Sequence, residues 1–301
     1  MINRRLVISQ WTRTFHFSTW EIDKFKKYFR EVVIHYVEED PTTSILQKDD
    51  VLFVYAMVSM YSHIKSGIDC YAKFGILYAG FGFQPIIQPE QIKGLEYIFD
   101  DFDAIFLNEG PAWEAYKHKD NAVLVPPSIE SSIFKKTRIR TDFKKLIHAA
   151  GKSTGPYKNR ELSAKVFKLL PYECELVPAD DVPVMYLPHD QMPEIYQNAD
   201  GFMSPQRIGP TYVDAKYTAS LCEAGMSGCI IFWHDCMNLG NSFDTVFEIS
   251  LDPNEIAQTI KDVVSFIDLE KHSQLTAEEF YEKCNTDNAI KIRVETMEKY
   301  L

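Results

Sequence analysis

Short apolar and β-branched runs alternate along the chain with longer stretches in which apolar side chains recur at helical spacing. That alternation predicts βα units around parallel sheets. In the first half the predicted strands are Leu6–Ser9, Val32–Tyr36, Val51–Tyr55, Gly75–Tyr78, Ala104–Leu107 and Ala122–Val125. Between the first two, "STWEIDKFKKYF" offers Ser18 and Thr19 as N-caps and sets Trp20, Phe25 and Phe29 at core-facing spacings of a helix. The second half continues in the same way. Its predicted strands are Lys145–Ala149, Glu173–Val177, Pro183–Leu187, Gly201–Ser204 and Cys229–Trp233; its helices are Arg160–Leu170, Gln191–Ala199, one around Tyr212–Gly225 and a last helical stretch from Asn254.

Between the halves, "VPPSIESSIFKKTRIRTDF" combines prolines, serines and bases, the composition of an interdomain linker, and places a boundary near Pro127–Thr141. The domains are then 1–128 and 129–301, with the last helix free to return to the first. A chain of 301 residues that is 46% hydrophobic suffices for two cores. Net charge of −11 makes the general field repel polyanions, although Lys135–Arg140 is a local basic run. The six cysteines form no C-x-x-C pair, so they are read as core-filling free thiols in a reducing compartment. Neither a signal-like apolar run nor a spanning segment is found, which predicts a soluble, cytoplasmic protein without a transmembrane segment.

The chemistry concentrates between Asp200 and Trp233. There a strand, a loop, a helix carrying Glu223 and a second strand follow one another. An acid so placed lies at the carboxyl edge of an open sheet, where α/β proteins bind ligands, and a carboxylate accepts hydrogen bonds from a sugar diol. Glu223 is flanked by Leu221, Cys222, Ala224 and Gly225, among which an unpaired charge would be costly. Lys152 and Lys158 lie in a loop between a strand and a helix, as cations facing a diphosphate would, or as solvated loop lysines. The turn near Pro210–Val213 adds helix-start donors, and Asp214 is either a ligand or a helix-start acid. His16, after the first strand, is a candidate general base or acceptor ligand. The aromatic run Trp11, Phe15, Phe17, Trp20 is either a sugar platform or core. Two look-alikes fail. "AAGKSTG" has Leu146 where a phosphate-binding Walker loop needs glycine, and "YAGFGFQP" lacks the third glycine of a dinucleotide fingerprint.

Four segments resemble the GT-B glycosyltransferases, in particular the large retaining group that includes bacterial polysaccharide enzymes and phage DNA α-glucosyltransferases. "VLVPPSIESSIFKK" is similar to that group's strand-turn leading into the linker, with Pro127, Ser128 and Glu130 replacing its usual residues. "LIHAAGKSTGPYKNRE" resembles the loop whose two bases grip the donor diphosphate, putting Lys152 and Lys158 in those places after Gly151. "VMYLPHDQMPEIYQNADGFMSPQ" and "LCEAGMSGCIIFW" resemble the two segments that follow, the second placing Glu223 where the group binds ribose hydroxyls. The group's E-x7-E pattern asks for an acid at Ala215; Asp214 lies one residue away.

The resemblance implies two Rossmann-like domains facing a central cleft. It implies transfer of a sugar from a nucleotide-diphosphate sugar to a hydroxyl acceptor, retaining and metal-independent, with no cofactor and a UDP-sugar as the expected donor substrate. The donor contacts implied are Gly151, Lys152, Lys158, Glu223, the Tyr212–Val213–Asp214 turn, and the backbone at His189 and Gln191. Three partners are weighed as acceptor: a glycan, a lipid-linked sugar, or a hydroxymethylated DNA base reached through Lys135–Arg140. A module that binds nucleotide sugar without turning it over is a further alternative, and a nucleotide-sugar epimerase of the same fold is another.

Overall fold

The computed structural model describes residues 1–10, 19–40, 45–55, 70–76, 93–151, 158–181, 187–207 and 216–301. Internal packing divides the chain into two units. The first comprises Met1–Ser128, Pro210–Lys216 and Thr286–Leu301; the second, Ile129–Gly209 and Tyr217–Asn285.

The sheet of the first unit contains β1 (Ile2–Gln10), β2 (Phe29–Tyr36), β3 (Val51–Val54), β4 (Ala72–Ile76), β5 (Ala104–Leu107) and β6 (Ala122–Leu124), in the order β2-β1-β3-β4-β5-β6. The second unit's sheet contains β7 (Lys145–Ala149), β8 (Glu173–Val177), β9 (Gly201–Ser204), β10 (Ile230–Trp233) and β11 (Val246–Glu248), in the order β11-β10-β9-β7-β8. Among the described residues every strand pair in both sheets is parallel. β3, β5, β9 and β10 are buried along their whole length, which is why they read as unbroken apolar runs. In each sheet the first strand lies between the second and third, so strand order reverses beside β1 and beside β7. At such a reversal the connections on the two sides diverge and leave a crevice at the carboxyl ends.

Several expectations change in detail. The first helix spans Thr19–Phe25, and Phe29 opens β2 instead of extending that helix. The four-residue spacing still serves one core, since the Phe25 and Phe29 rings meet at 6.3 Å. Of the helix expected around Tyr212–Gly225, residues 212–215 lie outside the described residues; the described part is helical over Ala219–Met226, where the Thr218 hydroxyl caps it by accepting from Leu221 N at 3.3 Å. Most of the expected strand Pro183–Leu187 lies outside the described residues, and Leu187 is not in a strand. β11 is additional to the expected strands. The stretch from Asn254 is three helices, Pro253–Phe266, Leu269–Cys284 and Thr286–Glu298, the first two capped by Asp252 and Asp268.

The segment read as a linker is packed. Ile129, Phe134 and Arg140 are buried, and Ile129 bridges to Asn285. Its bases do internal work: Arg138 Nε donates to Gln197 O at 2.6 Å, and Arg140 donates to Ala199 O at 3.0 Å and Tyr196 O at 3.1 Å. Arg138 also pairs with Asp200. These guanidinium groups satisfy the orphan carbonyls at the end of the Met192–Asn198 helix, where the helix dipole favours cations.

In the first unit, the returning Thr286–Glu298 helix is tied down by a buried ion pair. Arg293 Nη1 donates to Glu21 Oε1 at 2.5 Å, and Tyr55 O–H donates to the other carboxylate oxygen. Both charges are buried beside Phe53, Ile290 and Val294. Removing one partner strands the other charge. Arg293→Met is therefore expected to lower unfolding free energy by about 3–5 kcal/mol, with much of that recovered when Glu21→Met is added. Urea unfolding of both single variants and the double variant measures the coupling.

Candidate functional site

The reversal in the second unit falls between β7 and β9, and polar groups collect at the carboxyl ends of those strands. After β9 comes the Ala219–Met226 helix, whose residues Leu221–Met226 are all buried. Gly225 permits that burial: a Cβ there would stand 2.5 Å from the Phe280 ring of the Leu269–Cys284 helix. Only a glycine lets the helices approach so closely.

Glu223 faces inward from this helix with 3% exposure. Its Oε1 accepts from His189 Nε2 at 2.8 Å and its Oε2 from the Tyr196 hydroxyl at 3.0 Å. A carboxylate only accepts, so His189 carries its proton on Nε2 in this pair. Tyr196 is wholly buried, and burial followed by the Glu223 charge pushes its hydroxyl well above the ordinary value, keeping it a donor. Phe134 closes the group from the side, 5.3 Å from the His189 ring and 6.0 Å from that of Tyr196. His189 occupies the 3-10 turn His189–Gln191 that leads into the Met192–Asn198 helix, on the connection from β8 to β9. Glu223 and His189, singled out separately in the sequence, thus form one hydrogen-bonded pair.

At the end of β7, Gly151 and Lys158 flank a stretch outside the described residues. Lys158 precedes Asn159, which holds a left-handed backbone (φ 56°) as the N-cap of the Arg160–Phe167 helix. Arg160 ties this corner together, donating to Ala150 O at 2.5 Å, Pro178 O at 2.7 Å and Asp180 at 2.8 Å. His148 lies beneath, fully buried, with Nδ1 at 2.7 Å from Ser163 Oγ. Burial first, then the positive charges of Lys158 and Arg160, push the His148 imidazole down to about 3. Gln191 is exposed. Lys152, His16, Tyr212, Val213 and Asp214 lie outside the described residues, as do Trp11, Phe15 and Phe17.

Tyr196 belongs to a segment that the sequence resemblance matched, without a role, whereas His148, Arg160 and Gln206 carry no signal in the sequence. A histidine inside an apolar strand, or a glutamine after one, is unremarkable until its burial is known. Among the described residues no group of three or more His, Cys, Asp or Glu side chains is placed to hold a metal, and no helix is long and apolar enough to cross a membrane.

No protein-family model and no curated protein matches the chain. Solved structures do match. An α-glucosyltransferase in complex with UDP and a 13-mer DNA containing an HMU base aligns at TM-score 0.62 and 12% identity, covering 98% of this chain and 100% of that one. The fold is GT-B. AviGT4, a glycosyltransferase involved in avilamycin A biosynthesis, aligns at TM-score 0.63 and 10% identity over 99% and 98% of the two chains. A point mutant of S. aureus TarM, solved with fondaparinux, alpha-GlcNAc-glycerol and UDP, aligns at TM-score 0.60 and 11% identity over 86% of this chain, which spans 57% of that one. Within GT-B, the β7/β9 reversal belongs to the second of the two Rossmann-like units.

The buried His148 has a consequence for acid stability. Its folded-state value lies below the unfolded value of 6.5, so the unfolded chain takes up the proton first. Stability from this group is complete above about pH 6.5 and declines by about 1.4 kcal/mol per pH unit on the way down to about pH 3. Urea unfolding at pH 7 and pH 5 is expected to show about 2 kcal/mol of this loss in the wild type, and its absence in His148→Asn.

Proposed function

We propose that this protein is a glycosyltransferase that moves a sugar from a nucleotide-diphosphate sugar to a hydroxyl acceptor, with the donor bound at the β7/β9 edge of the second unit. The observation that carries this reading is the Glu223–His189–Tyr196 group, a buried acid held by two hydrogen-bond donors on the helix that follows β9 in a GT-B fold. A diphosphate leaves as an anion, so cations and oriented N–H groups at its position stabilise the transition state. Lys158 and the Thr218-capped start of the Ala219–Met226 helix supply both kinds of group within this unit. Lys152 and Asp214 join them in the proposal on the strength of the sequence resemblance.

Retention at the anomeric carbon and independence of metal are part of the same proposal. In that chemistry the departing phosphate oxygen helps take the acceptor proton on the same face of the sugar. A separate protein base, for which His16 is the sequence candidate, is then not required. The expected donor is a UDP-sugar; the structural neighbours solved with UDP support that choice.

One observation favours a second acceptor: the neighbour solved with DNA aligns over its full length. Two others oppose DNA here. The net charge is −11, and three of the four bases of Lys135–Arg140 are engaged internally, Lys136 with Gln274 and Arg138 and Arg140 with helix carbonyls. A glycan or lipid-linked hydroxyl is the acceptor proposed.

A thermal-shift screen of UDP-, GDP-, ADP- and CMP-sugars tests the reading. One class is expected to raise the unfolding midpoint, since a ligand at a hundred times its Kd adds about 2.7 kcal/mol. Lys158→Ala should then lose about 2–4 kcal/mol of transition-state stabilisation in kcat/KM. Silence from all four classes would reject the proposal, and donor binding without transfer to any acceptor would favour a non-catalytic binding module.

A further inference from the structure

Among the described residues, buried polar groups without hydrogen-bond partners mark the carboxyl ends of three neighbouring strands in the second unit. Three are His148 Nε2 near the end of β7, Gln206 Nε2 two residues past β9, and Trp233 Nε1 on the last residue of β10; others, such as Ser227 Oγ and Arg293 Nε, lie away from that edge. Register sorts them by face, because paired residues of parallel strands point the same way and successive residues alternate. Trp233 pairs with Ser204, and Ile147 pairs with Phe202. His148 therefore belongs to the opposite face from Trp233, where Ser163 already holds its other ring nitrogen. Trp233 shares the face of Phe202 and Ser204, on which Tyr196 and Tyr217 pack at 6.1 Å and 5.0 Å. Tyr196 is the residue that bonds Glu223.

Gln206 is the most telling of the three. It is 2% exposed, it sits on the chain leaving β9 at the sheet reversal, and its amide nitrogen is a pure donor. A buried N–H without an acceptor is destabilising, and a functional role is one explanation for its being kept. The donor nitrogen fits an acceptor-only partner. A diphosphate oxygen is one, and a hydrogen bond to a charged acceptor is the stronger kind.

We propose that Gln206 is a binding and positioning residue whose amide N–H is completed by a diphosphate oxygen of the donor substrate. The inference rests on the donor-site reading above and adds to it a residue that the sequence resemblance did not assign. In the unbound protein the amide is an uncompensated polar group; in the bound protein it holds the leaving group.

This makes a paired expectation that a merely structural glutamine does not share. Gln206→Met keeps the length of the side chain and removes the orphan donor. Its unfolding midpoint is expected to rise, while affinity for a nucleoside diphosphate, measured by calorimetry with UDP, GDP, ADP and CDP, falls about tenfold, the size of one hydrogen bond to a charged group. Affinity for the matching nucleoside, which has no phosphate, stays within about twofold of wild type. Gln206→Glu, which replaces the donor by a negative charge, is expected to lose more affinity than Gln206→Met. A raised midpoint with unchanged diphosphate affinity overturns the proposal. So does an equal loss for nucleoside and diphosphate, a lowered midpoint in Gln206→Met, or full affinity in Gln206→Glu. If wild type binds none of the four diphosphates, the donor-site reading itself fails and takes this inference with it.

Discussion

The second unit is organised around a buried carboxylate and the two donors that make its burial tolerable. An unpaired charge in a buried helix would be costly, and Glu223 avoids that cost through His189 Nε2 and the Tyr196 hydroxyl. Those partners come from a turn and a helix between β8 and β9, so the pairing joins the elements on that side of the sheet to the helix that follows β9. Gly225, by letting the helix approach Phe280, and Arg138 with Arg140, by finishing the Met192–Asn198 helix, serve the same assembly. Remove the carboxylate and the His189 N–H and the Tyr196 O–H both lose their acceptor.

A site built this way trades stability for readiness. Buried groups that fold without full satisfaction, such as Gln206 Nε2 and His148 Nε2, are tolerated where a ligand or a fixed protonation state is useful. His148 is kept neutral beneath the loop that carries Lys158, so the cation above it is not repelled by a second one.

Much of the fold is legible in the sequence for a simple reason. Parallel strands buried on both faces must be largely apolar runs, and β5, β7 and β9 carry the bounds the pattern predicts, as does the half-buried edge strand β8. The misreadings are physical too. Phe29 keeps a helical spacing from Phe25 because both rings enter one core, although a turn separates them and Phe29 belongs to β2. The proline and serine content near Pro127 reads as a linker, yet Ile129 and Phe134 anchor it in the second unit. For the candidate site, Glu223 stands out as an acid among apolar neighbours, but nothing in the sequence says that His189 is its partner. Long-range pairs leave no local trace. The basic run Lys135–Arg140 shows the reverse hazard, since it looks like a patch for a polyanion and is used to cap a helix.

The central claim is the proposal that a nucleotide-sugar donor is held at the carboxyl edge of the β7/β9 reversal, with Glu223 on the helix that follows β9. Hydrogen exchange of backbone amides with and without a saturating nucleoside diphosphate tests it most directly. The account predicts that slowed exchange concentrates at Ala149–Gly151, at Ser204 and Gln206, and at the start of the Ala219–Met226 helix. Slowed exchange confined to the first unit, or none at all with ligand demonstrably bound, would contradict it.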